Sequence, residues 1–240
     1  MIIGAKADKH QRKNKKLIDS FMVKKLLVLV FLLLPGLVWA QLSVGIRGGL
    51  SSSSYSYQAT AGTRIKKVEG IAAPTFAVVL EYFDSKNAGV ELNIQQLTLG
   101  FAQVNDAGKV NQTEFTYLKF PILASIFAGR SGRFQIKFGP HFGVLRQVED
   151  LTREYSGATP KELPTFGKPS DAPNKRMYGL TGGAGISKLF GKSTLSAEAR
   201  FAYDFTNPES QDRIFDMNST NLEFTLAYLF RVKERKQKSP

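Results

Sequence analysis

The sequence predicts an all-β chain: an eight-stranded antiparallel up-and-down transmembrane β-barrel preceded by a cleavable signal peptide. Three observations predict it. A short basic stretch followed by an apolar run marks export, eight later segments alternate apolar and polar residues, and their connectors alternate short and long. Composition narrows the chemistry. An apolar content of 42% is too high for a disordered chain. With no cysteine, disulfides, Cys-ligated zinc and thiol catalysis are excluded, and His10 and His141 alone cannot build a multi-His metal site. The net charge of +13 is uneven, because residues 1–40 hold eight Lys/Arg against two Asp/Glu. The other 200 residues carry 25 against 18, dispersed along the chain, so no nucleic-acid partner is expected.

The first forty residues divide in two. Residues 1–21 read as a non-native or disordered extension ahead of Met22, the expected true start. In 22–40, Lys24 and Lys25 precede an apolar run from Leu26 to Trp39, interrupted by Pro35-Gly36. That run is shorter than the roughly 20 residues a spanning helix needs. Permissive residues at Val38 and Ala40 place signal cleavage between Ala40 and Gln41.

Residues 41–232 form the expected barrel. The period-two segments are 42–50, 72–83, one around Val90, Leu92 and Ile94, 115–126, 133–144, 177–189, one from Leu195 to Tyr203, and one from Leu222 to Phe230. Strands of about 9–13 residues suit a tilted crossing of the hydrocarbon layer. Short connectors fall at Asp84–Asn87, Ala128–Gly132 and Gly191–Ser193. Long ones run about 51–70, 100–113, 145–176 and 205–219, and Ser51–Ser54 with Tyr55 and Tyr57 reads as loop composition. Short turns at one end and long loops at the other put the short turns in the periplasm. Residues 233–240 are a basic tail.

Which face points inward follows from volume. Eight strands enclose room for side chains only, so phenylalanines face lipid and glycines with mixed charges face the lumen. The expected lumen network is Glu91, Lys119, Arg133, Lys137, His141, Glu198, Arg200 and Glu223, a charge-paired structural plug rather than a catalytic set. Aromatic girdles are expected from Tyr82, Phe127, Phe190 and Phe230 on one side, and from Phe142, Tyr178 and Tyr203 on the other. His141 invites an enzyme reading, but no local cluster completes a triad around it. Gly191-Lys192-Ser193 resembles the end of a phosphate-binding loop, yet Ile186 stands where that motif needs glycine.

The opening SVGIRGGL, the central YLKFPILASIF and the later FQIKFGPHFGVL resemble the PorT-like outer-membrane β-barrel family of Gram-negative bacteria, over roughly residues 41–232. The resemblance implies an eight-stranded barrel in the bacterial outer membrane and, for some members, association with secretion or envelope organisation. It implies no catalytic residue and no cofactor. The expected function is a structural or interaction role through the long outer loops, as an accessory of secretion or envelope assembly. Outer-membrane lipids and envelope or secretion-system proteins are the expected partners. A lipid A- or glycan-modifying enzyme and a small-solute, porin-like channel are the alternatives.

Overall fold

The computed structural model describes residues 41–85, 87–156, 163, 166, 171, 173–211 and 214–234. The expected extension, the signal peptide with Ala40, and the tail beyond Glu234 lie outside the described residues. Nine strands are found among the described residues: β1 (Gln41–Gln58), β2 (Lys66–Lys67), β3 (Glu69–Phe83), β4 (Ala88–Val104), β5 (Val110–Gly129), β6 (Gly132–Arg153), β7 (Arg176–Phe190), β8 (Ser193–Asp204) and β9 (Asp216–Lys233). Each pairs antiparallel with its neighbour, and β1 pairs with β9, which closes an eight-stranded ring; β2 is a two-residue flap on the end of β1. Closure satisfies every ladder edge, the condition for strands in lipid.

The short turns lie where the alternation stops. β7 and β8 are joined by Gly191-Lys192 alone, and Gly191 takes φ +59°, the left-handed conformation a two-residue hairpin needs. This turn is what resembled a phosphate loop. The strands, however, are longer than expected, reaching 22 residues in β6. The segments expected as loops at 51–58 and 100–104 are strand, and the second outer connector shrinks to 105–109.

A reversal of polarity along β1, β4, β5 and β9 explains the difference. On β4, Val90, Leu92 and Ile94 face outward while Glu91, Asn93 and Gln95 are buried inside. Further along the same strand Gln96 and Thr98 face outward, and Leu97, Leu99 and Phe101 are buried inside. β5 repeats it: Leu118, Phe120 and Ile122 face out at membrane depth, Gln112, Glu114 and Thr116 beyond it, with Phe115 and Tyr117 buried. The lower half is thus built for lipid, and the upper half is built as a water-exposed barrel is. Its interior joins Tyr55, Leu99, Phe115, Tyr117 and Met217, covered by Leu163 and Phe166, and the Phe166 ring meets Phe115 edge-on at 4.9 Å. At roughly 3.3 Å per residue and a tilt near 40°, β1 beyond Leu50 rises about 20 Å above the apolar band.

The longest gap in the ladder lies between β3 and β4. β3 and β4 pair up to Phe76–Gln96 and again from Gly70–Phe101, with no pairing between. Pro74 lies in that window and has no N–H to donate. Side chains take the place of the ladder: Ser53 Oγ of β1 accepts from Gly100 N at 2.9 Å and donates to Gly100 O at 3.2 Å, and Thr75 Oγ1 of β3 itself donates to Gln96 O at 2.9 Å.

Candidate functional site

The lumen at membrane depth holds four cations and four carboxylates. Lys137 Nζ is hydrogen-bonded to Glu81 at 3.1 Å, to Glu198 at 2.7 Å and to Glu91. Arg200 reaches Glu91 at 2.7 Å and Glu198 at 2.5 Å, while Arg47 donates to Glu91 at 3.0 Å and to Asn93 at 2.8 Å. All of these groups are buried, so each charge depends on its partners for the solvation it has lost. The fourth pair is looser. Lys119 Nζ lies 3.8 Å from Glu223 and has no hydrogen-bond partner among the described residues, whereas Glu223 also accepts from Gln95 and Asn221.

β7 makes room for this layer. A Cβ on Gly183 would lie 2.8 Å from Arg200 Cγ, and one on Gly185 would lie 2.7 Å from Glu198 Cγ. The glycine-rich GLTGGAGISK therefore serves the packing of the large polar side chains beside it.

Above the plug, His141 Nδ1 lies 2.9 Å from Thr181 Oγ1, and Nε2 lies 2.5 Å from Asp204 Oδ1; Ser219 donates to the other oxygen of Asp204. A hydroxyl, an imidazole and a carboxylate are thus in line, assembled from β6, β7, β8 and β9. All four residues are buried, with His141 at 0% exposure, and a Cβ on Gly179 would stand 2.7 Å from the imidazole. The ring is packed on both edges. No group of three or more metal-ligating side chains is found among the described residues.

The lumen filling and the closed ring can be set beside known proteins. The family described as outer membrane protein beta-barrel domain matches residues 39–209, more than half of the chain. The chain belongs to that family. Among solved structures it is similar to OprG of Pseudomonas aeruginosa, at 12% identity and TM-score 0.52, covering 80% of this chain and 96% of that one. Similarity extends to Ail of Yersinia pestis at 12% identity and TM-score 0.39, covering 78% of this chain and 98% of that one. The OprG likeness shows the fold alone. No curated protein sequence matches. An outer membrane β-barrel of this family resides in the bacterial outer membrane.

In this outer membrane β-barrel, Glu91, Lys119, Lys137, His141, Glu198, Arg200 and Glu223 all point into the lumen. Arg133 does not join them. It sits half-buried at the periplasmic mouth, with its guanidinium 4.2 Å from the Phe127 ring centre and Nε donating to Arg130 O. Phe127 itself departs from the expected girdle: it faces inward and meets Phe83 edge-on at 5.2 Å, because the outward residues of β5 are Ile126 and Ala128. Arg47, Glu81, Asp204 and Ser219 are lumen residues missing from the expected network. Arg47 is hidden in SVGIRGGL, whose alternation is blurred by glycine, although its parity opposite to Val44, Ile46 and Leu50 carries the signal.

Proposed function

We propose that this outer-membrane barrel is a structural and interaction protein that presents its raised outer half and connectors to a partner, as an accessory of secretion or envelope assembly. One observation carries the reading: the lumen is occupied by paired charge at membrane depth and by packed apolar side chains above it. A filled barrel offers its chemistry on the outside of the wall. The PorT-like resemblance of the central strands supports the same class of role. The test has two arms. Photo-crosslinkers placed at Ala61 and Asp106, both exposed in outer connectors, should capture a discrete envelope protein in intact cells. Purified protein in planar bilayers should add no conductance. Steady conductance without a crosslinked partner would favour the channel.

A second reading, an enzyme acting on lipid A or glycan, has one observation in its favour: the aligned Thr181, His141 and Asp204. Its test is lipid A and glycan composition in cells carrying His141→Ala, which the interaction reading expects to leave unchanged.

A further inference from the structure

The lipid-facing wall from β6 to β9 is indented. Outward residues there are mostly large, but β7 and β8 also present Gly182, Ala184, Ala197 and Ala199, with Ala184 directly opposite Ala199 in the ladder. Beside Ala197 lies a groove of about 520 Å³ walled by Phe134, Ile186, Leu195, Ala197 and Leu226, with Lys188 at its periplasmic end. A second groove of about 510 Å³ meets it at Ala197 and Leu226. Lys188 faces outward, lies 5.6 Å from the Phe190 ring centre and forms no ion pair among the described residues. The rim around it is basic, with Arg130 and Lys192 exposed in the two adjacent turns.

We propose that these joined grooves seat one anionic phospholipid of the periplasmic leaflet, with its acyl chains in the two grooves and its phosphate on Lys188. The wall faces hydrocarbon, so what fills an apolar indentation there is itself apolar. The volumes are those of ligand pockets, roughly 300–1,000 Å³. The exposed ammonium at the end of the groove lies where a headgroup begins, and basic residues at that depth attract anionic lipid. A second barrel is the poorer occupant. A two-fold interface would use the same patch on both copies and bring one basic rim against the other.

The described barrel contains no tryptophan, and the chain's single one is Trp39. In a Trp39→Phe background, Phe134→Trp puts one fluorophore in the groove, and Val90→Trp puts a reference at the same end of β4. Each protein, purified from membranes and shown to be folded by its heat-dependent electrophoretic mobility, is reconstituted with brominated phosphatidylglycerol or brominated phosphatidylcholine. Quenching at position 134 should favour phosphatidylglycerol by about fivefold, the preference one lysine near anionic lipid confers. The ratio should be close to one at position 90, and Lys188→Gln should bring position 134 down to the same value. If Lys188→Gln does not fold, Lys188→Met serves. A ratio near one at position 134, equal preference at both positions, or a preference that survives loss of Lys188 overturns the proposal.

Discussion

Lys137 and Glu198 meet at 2.7 Å in the middle of the lumen, although 61 residues separate them in the chain. The contact joins β6 to β8 without passing through the strand between them, and Lys137 binds Glu81 and Glu91 from the opposite wall as well. The plug is therefore a cross-brace.

Removing that brace should be expensive. Lys137→Met leaves three buried carboxylates short of a cation and should lower unfolding free energy in urea by about 3–5 kcal/mol. Lys137→Met with Glu198→Gln should cost less than the sum of the two single changes, by about 1–3 kcal/mol. Lys119→Met should be milder, because that ammonium makes no hydrogen bond among the described residues and Glu223 keeps Gln95 and Asn221. Equal losses for Lys119→Met and Lys137→Met would contradict the cross-brace.

The polarity reversal fixes where arginine is tolerated. Ile46 is 66% exposed in the apolar band, and Ile46→Arg should destabilise the barrel in lipid vesicles by about 2–4 kcal/mol. Ser56 lies on the same outward face of β1 beyond the reversal, and Ser56→Arg should change stability by no more than about 0.5 kcal/mol. Matching losses would place the membrane boundary higher on β1.

The β3–β4 gap makes one serine conspicuous. Ser53→Ala deprives both Gly100 N and Gly100 O of their partner and should cost about 1–3 kcal/mol. The Gly100 amide should then exchange with deuterium faster than its neighbours on β5. Ser52→Ala, one residue away and exposed, is the control and should be close to neutral.

Sidedness is testable because the chain has no cysteine. Ala61→Cys and Asp106→Cys should react with an impermeant maleimide on intact cells. Ser131→Cys and Lys192→Cys, exposed in the short turns, should react only after the outer membrane is opened. The reverse pattern would invert the barrel.

The inward parity of Lys137, Glu198 and Arg200 is legible because each stands between apolar neighbours on a clean period-two strand. The outer half is not. SSSSYSY carries its apolar residues at Tyr55 and Tyr57, the parity that lower in β1 belongs to Ser43 and Arg47. A reading that follows one face along one strand meets a break there and records a loop. Nor does alternation tell which residues meet across the lumen. The grouping of His141 with Thr181, Asp204 and Ser219 depends on the register of four strands.

The reversal also constrains how the protein gets into place. The tip of the β4–β5 hairpin carries Gln96, Thr98, Gln112, Glu114 and Thr116 on its outer face. Arriving from the periplasm, that polar surface must traverse hydrocarbon before it reaches water. Its apolar residues Leu97, Leu99 and Phe115 stay uncovered until β1 and β9 close the ring around them. Whatever machinery threads this chain must shelter a hairpin whose two faces are, for the length of the crossing, both in the wrong solvent.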